Sequence, residues 1–193
     1  MTDTKFEISR DTMLGVPITG DYNEGLDWGV QSSPAEFAEL LQPVLDHPEM
    51  VRFGWHQYTP YFNDGDTCEF TTYKPWFVTR ADEVKLDGNW DDFDGYDYEV
   101  GSSYSPHPTL GYVTPDSEYD RVTREWGPHP EAGKYTGQNR QLHDICLKLS
   151  DAIEGSGCYR VLLDAFGDHA EVTFSRDPDT GEWRAEREFY SHD

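Results

Sequence analysis

Between Val51 and Val78 the chain carries two aromatic, β-prone runs. Between them stands Asn63-Asp64-Gly65-Asp66, a cluster that favours positive φ and turns capped by their own side chains. The stretch therefore predicts a β-hairpin with an acidic tip. At 193 residues there is chain enough for one proper core and too little for two. A single domain, 1–193, is expected.

Charge is the second constraint. Fifteen basic residues against 38 acidic ones give a net charge of −23. That is well beyond the magnitude of about 8 at the upper end for a small soluble domain. Self-repulsion on this scale costs stability and asks for a reason. A compact chain of this length has a radius of gyration of about 16 Å, hence a diameter of about 40 Å. Roughly 23 phosphates occupy a similar length of B-DNA, which carries one charge per about 1.7 Å of axis. Imitation of DNA requires the carboxylates on one face. An acidic surface adapted to high salt accounts for the same charge, and five Lys against ten Arg fits that or a GC-rich origin.

Hydrophobic residues make up 36% and aromatic ones 15% of the chain, so burial should rest on Trp, Tyr and Phe. No apolar run approaches the roughly 18 residues of a membrane span, and the N-terminus lacks a basic-then-apolar signal pattern. A cytoplasmic protein with no membrane partner is expected. Cys68, Cys146 and Cys158 form no C-x-x-C pair, so they read as reduced thiols, some of them core filler.

In chain order, residues 1–32 read as irregular, with Phe6, Ile8, Val16, Ile18 and Trp28 able to supply one or two edge strands. Ser33-Pro34-Ala35-Glu36 is a capping box with Pro at N1. Phe37, Leu40, Leu41, Val44 and Leu45 then follow at helical spacing. Pro43 is expected to kink that helix or end its regular part near Leu41. From Gly101 to Gly137 five prolines exclude long elements, leaving short strands near Leu110–Val113 and Tyr119–Trp126. Leu142, Ile145, Cys146, Leu149 and Ile153 predict a helix over Asn139–Ile153, closed by Gly155. Tyr159–Phe166 fits strand or helix. Glu171–Arg176 and Trp183–Tyr190 alternate on either side of Asp177-Pro178-Asp179-Thr180-Gly181 and predict a terminal hairpin. The expected fold is α+β: an antiparallel sheet of four to seven strands with two main helices on one face.

The string Trp55, Gln57-Tyr58-Thr59-Pro60-Tyr61-Phe62-Asn63-Asp64-Gly65-Asp66, Cys68 and Phe70 resembles a motif of uncharacterised proteins from bacteriophages and their bacterial hosts. Phe166-Gly167-Asp168-His169 and the end Tyr190-Ser191-His192-Asp193 are similar to the C-terminal part of the same proteins. The resemblance covers about a third of the chain. It implies a phage setting and carries no activity with it.

Residues 82–99 hold eight acids, Asp82, Glu83, Asp87, Asp91, Asp92, Asp94, Asp97 and Glu99, against the single base Lys85. Trp90, Phe93, Tyr96 and Tyr98 are interleaved with them. Such rings can anchor the segment to the fold or to a partner while carboxylates stay displayed; a mobile loop tethered by its rings is the plainer reading.

Motifs of catalysis are missing from the sequence: no G-x-S-x-G, P-loop, G-x-G-x-x-G or H-E-x-x-H, and no cofactor is expected. Asp87, Asn89 and Asp91 mimic the start of an EF-hand loop, but Asp92 replaces its obligatory Gly and Tyr98 its Glu. Asp92, Asp94, Asp97 and Glu99, or Asn63, Asp64 and Asp66, offer a cation another geometry, although turn chemistry alone explains the second set. His169 beside Asp168 and His192 beside Asp193 suit a divalent transition metal if the terminal hairpin joins them; a Gly-Asp-His turn and a frayed end explain them too. His56 reads as a hydrogen-bonded sheet residue. Carboxylates near Cys68 oppose its thiolate, and paired acids for glycoside hydrolysis carry no weight where acids are this abundant. With no basic stretch, direct nucleic-acid binding is excluded.

The expected function is a non-enzymatic, phage-encoded acidic protein that docks on a basic host protein, in its sharpest form as a DNA mimic of a nucleic-acid-binding protein. The binding residues expected are Asp87, Asp91, Asp92, Asp94, Asp97 and Glu99, with Trp90 and Tyr96 as apolar anchors. A small metal-dependent enzyme and a virion component are the alternatives, and the reading leaves room for a homodimer.

Overall fold

The computed structural model describes residues 9, 11–20, 31–62, 68–87, 90, 93–191. Phe6, Ile8, Trp28, the hairpin tip Asn63, Asp64, Gly65 and Asp66, the acids Asp91 and Asp92, Asn89, His192 and Asp193 lie outside the described residues. The architecture is α+β, as expected. One sheet has seven strands: β1 (Thr12–Met13), β2 (Val16–Thr19), β3 (Met50–Tyr58), β4 (Thr71–Thr72), β5 (Trp76–Thr79), β8 (Ala170–Arg176) and β9 (Trp183–Phe189). Their order is β1-β2-β9-β8-β3-β4, with β5 also paired to β3. All these pairs are antiparallel except β2 with β9, where Ile18 faces Ala185 in parallel. That departs from the all-antiparallel expectation. The two strands come from opposite ends of the chain, so their direction is not set by a tight turn.

Helices α1 (Pro34–Asp46), α3 (Arg140–Glu154) and α4 (Tyr159–Phe166) cover the inner face, and the short α2 (Arg80–Leu86) continues from β5. The capping box forms as read: Glu36 N–H donates to Ser33 Oγ at 3.3 Å and Ser33 N–H to Glu36 Oε2 at 2.8 Å. Asn139 caps α3, accepting from Leu142 N–H at 3.0 Å. Pro43 neither ends nor shortens α1, which runs on to Asp46. The missing donor costs one backbone bond close to the helix end, while Val44 and Leu45 beyond it are buried in the core. Phe53, Trp55, Phe166 and Phe174 centre that core, with Phe53 and Phe174 stacked at 4.7 Å and Trp55 edge-on to Phe166 at 5.4 Å. Cys146 and Cys158 are buried and all three cysteines are free; burial pushes both buried thiols up.

The 101–137 region departs from its reading. Leu110–Val113 forms only isolated bridges, His107 with Gly111 and Val113 with Tyr135. Tyr119–Trp126 is not one strand but a hairpin of β6 (Ser117–Asp120) and β7 (Glu125–Pro128). Asp120 Oδ1 accepts from Val122 N–H at 2.7 Å and turns the chain, so Tyr119 and Trp126 become a cross-strand pair at 5.6 Å. At the C-terminal hairpin Asp177 Oδ1 does the same work for Thr180 N–H at 2.8 Å, and the expected strand pair forms.

Candidate functional site: an aromatic cleft under an acidic turn

The Trp55–Phe62 stretch and the Phe166–His169 stretch meet at one end of β3. Trp55 is fully buried and its Nε1–H donates to Gln57 Oε1 at 3.0 Å. Gln57, also fully buried, donates to the carbonyls of Leu162 within α4 and of Gly167, which ends that helix. The Asp168 carboxylate accepts from Thr59 N–H at 2.8 Å and from His169 N–H at 2.9 Å. It thereby ties the chain leaving β3 to the turn entering β8. His169 sits at φ 54, in the left-handed region that non-glycine residues seldom use. Tyr61 stacks on its ring at 4.6 Å, and its carbonyl accepts from Tyr190 N–H at 2.8 Å. On the outer face Tyr58 stacks on Tyr73 at 5.1 Å and their hydroxyls are hydrogen-bonded. Burial and that bond push the Tyr58 phenol up. Thus the motif's Trp, Gln, Thr and Asp are a joint between distant stretches. Tyr61 and Phe62, 61% and 77% exposed, are its displayed part.

The acidic segment divides into a buried part and a displayed part. Asp82 is 0% exposed. It accepts from Thr79 N–H at 3.0 Å, Thr79 Oγ1–H at 2.6 Å and Thr109 Oγ1–H. It is an anchor of α2, not a displayed charge. Asp87 ends that helix at φ 48 and is exposed. Farther on, a 3₁₀ turn at Gly95–Tyr98 is laid on the outer face of the sheet. Phe93 packs edge-on to Trp76 at 4.9 Å and against Tyr98 at 5.0 Å, and Trp90 meets Phe93 at 5.5 Å. Glu99 bridges to Trp76 in the backbone. The Trp76 ring lies between two glycines: a Cβ at Gly54 would stand 2.6 Å from it and one at Gly95 2.7 Å. Only residues without a side chain let the turn approach this closely. Asp94 caps the turn, accepting from Tyr96 N–H at 3.0 Å. Asp94, Tyr96 and Asp97 point outward, with Tyr96 59% exposed.

Between this turn and the sheet lies a cleft of about 680 Å³, lined among others by Arg52, His56, Lys74, Trp90, Glu99 and Glu171. Its floor is β3. A bulge after Met50 shifts the register there, so Val51 packs with Trp76 and Val78 while Arg52 also faces Trp76. The Arg52 guanidinium carbon lies 4.4 Å from the Trp90 ring centre and 5.8 Å from that of Trp76, a cation–π arrangement. Burial holds the Arg52 guanidinium below its usual range, with the charges of Glu186 and Glu171 opposing. Its Nε is buried and meets no acceptor among the described residues. His56 Nε2 stands 3.7 Å from Glu171 and its ring stacks on Tyr190 at 4.3 Å. That contact keeps the Glu171 carboxyl below the ordinary carboxylate range, whereas burial raises that of Glu99 despite Lys74.

Of the expected binding residues, Trp90, Asp94, Tyr96 and Glu99 line this cleft. Trp90 is half-buried against Arg52, and Asp97 and Asp87 stand outside the cleft lining. Arg52, Lys74, Glu171 and the glycine pair were missed. A lone Arg between apolar neighbours on a strand, and a Gly inside a run of acids and rings, were the available signals. Elsewhere, exposed acids stand on both sides of the sheet: Glu36, Glu39 and Asp46 on α1, and Glu186 and Glu188 on β9. Among the described residues no group of three or more His, Cys, Asp or Glu side chains is placed to hold a metal ion, and no helix is long and apolar enough to cross a membrane. No protein-family model matches the chain, and no curated protein or solved structure matches it significantly.

Proposed function

We propose that this protein is a non-enzymatic acidic binder, carried by a phage, that docks on a basic surface of a nucleic-acid-binding host protein. The observation that carries the reading is the mounting of the acidic turn. Trp76, held between Gly54 and Gly95, fixes Gly95–Tyr98 to the sheet and leaves Asp94, Tyr96 and Asp97 facing out. Preformed carboxylates beside an exposed ring bind basic side chains at a low ordering cost, and the net charge of −23 steers the partner toward them. Asp87 and Glu99 extend the same acidic run. Because exposed acids also lie across the sheet on α1, a local docking site fits better than imitation of duplex DNA over the whole body. The phage setting rests only on the resemblance of the Trp55–Phe70 string, the Phe166–His169 stretch and the C-terminal end.

The test is affinity capture from host lysate at two salt concentrations, followed by mass spectrometry, with the wild type beside Asp94→Lys/Asp97→Lys. The expected result is one or two basic proteins, released at the higher salt and missed by the variant. Equal capture by both proteins would remove the turn from the binding surface.

A further inference from the structure

We propose that the cleft beneath the acidic turn is a binding site for a small planar monocarboxylate, seated on the guanidinium of Arg52 with its ring beside Trp90. This goes beyond the docking surface above, which shares Asp94 and Tyr96 with the cleft but does not use Arg52. In a molecule with 38 acidic and 15 basic residues, the lining of this one cleft brings together Arg52, Lys74 and His56. The guanidinium at its floor is half-buried, is stacked on Trp90 at 4.4 Å, and has an Nε that meets no acceptor among the described residues. Burying a donor such as this Nε without an acceptor is costly, and a chain this rich in carboxylates has every means of pairing it. Glu171 and Glu186 act on it through their charge, but Glu171 is engaged with His56 at 3.7 Å.

The shape narrows the occupant. About 680 Å³ lies within the roughly 300–1,000 Å³ of small-molecule sites. Trp90 and Phe93 offer apolar walls. A guanidinium presents a planar fork that matches a carboxylate with two parallel bonds. The acids at the rim, Asp94, Glu99 and Glu171, disfavour multiply charged ions, so a polyphosphate is rejected where one carboxylate is admitted. The same acids accept from any ammonium or hydroxyl that the occupant carries.

Benzoate and benzamidinium share a ring and differ in the sign of their charge, which makes them the probes. The full chain is labelled with ¹⁵N and titrated with each, following the Arg52 Nε–H resonance and tryptophan emission. Arg52→Gln and Arg52→Lys assign the resonance, and a thermal melt of each variant checks the fold. The expected result is saturable shifting of the Arg52 signal by benzoate and not by benzamidinium. Arg52→Gln weakens benzoate at least about tenfold, and Arg52→Lys, which keeps the charge and loses the fork, falls between. Should Arg52→Gln unfold, the Lys variant and Trp90→Phe carry the comparison. No shift with benzoate up to millimolar concentration overturns the proposal and leaves Arg52 as a brace for Trp90. Tighter binding of benzamidinium also overturns it and makes the cleft a cation site. Capture of a host partner by Arg52→Gln is expected to be normal, so this site and the docking turn fail independently.

Discussion

Replacing Asp82 by Ala separates buried from displayed acids within one sequence segment. The carboxylate is 0% exposed and takes three donors, the Thr79 amide, the Thr79 hydroxyl and the Thr109 hydroxyl. Alanine leaves all three without their acceptor, and each unsatisfied group costs about 1–3 kcal/mol. Two effects offset this: the carboxylate no longer has to be desolvated, and one charge leaves a strongly acidic molecule. Lys85, at 3.7 Å and half-exposed, adds little to either side. The net expectation is a loss of roughly 2–4 kcal/mol, or about 4–16 °C in Tm at about 2–4 °C per kcal/mol. Urea unfolding followed by tryptophan emission, run beside Asp97→Ala, measures it. Asp97→Ala is expected to leave the midpoint unchanged, because that side chain is exposed. Equal midpoints for the two variants would show that the buried network contributes nothing, and the division of the segment would fall with it.

Gly95→Ala places a Cβ 2.7 Å from Trp76, which Gly54 prevents from retreating; the cost expected is about 1–3 kcal/mol, with loss of partner capture, and an unaltered melt and capture would remove the clamp. His107 Nδ1 accepts from the Thr109 and Leu110 amides at 3.1 and 3.0 Å, so its Nε2–H donates to the Phe77 carbonyl at 2.8 Å and the ring is neutral. Burial holds this imidazole below its ordinary 6.5 against the pull of Asp82; the unfolded chain therefore binds the extra proton first, and stability is full above about pH 6.5 and declines as pH falls below it. His107→Asn should flatten that decline in denaturant titrations at a series of pH values. Asp168→Ala frees the amides of Thr59 and His169 and is expected to lower stability by about 2–4 kcal/mol; a melt like that of the wild type would refute the joint. Pro43→Ala restores a helix donor, for a net gain of about 1–2 kcal/mol once the more flexible unfolded chain is counted, and a lower Tm would mean the proline is locally favoured.

Local chemistry was legible wherever one short stretch decides its own conformation. Ser33 and Glu36 satisfy each other's backbone and Asp177 turns its own hairpin, as read, and the amphipathic run expected over Asn139–Ile153 forms a helix with Asn139 as its cap. Pro43 does not end α1 near Leu41, because the burial of Val44 and Leu45 beyond it belongs to the tertiary fold, which helix propensity leaves out. Strand was expected near Tyr119–Trp126, but Asp120 within it, accepting from Val122 N–H at 2.7 Å, makes a turn between two shorter strands. The candidate site lies past the reach of such reasoning. Its floor is Arg52 on β3, its wall is Glu171 on β8, and its roof is the turn after Gly95. No spacing in the sequence brings these together. What joins them is the Trp76 ring, which fits only because positions 54 and 95 have no Cβ. The acidic segment could be read for its charge but not for its division: Asp82 and Asp94 are the same residue type in the same run. One is capped and buried by the threonines at 79 and 109, while the other is carried outward on rings that pack beneath it. Displayed charge is therefore set by where the interleaved aromatics find a floor, and here that floor is the outer face of β3 and β5.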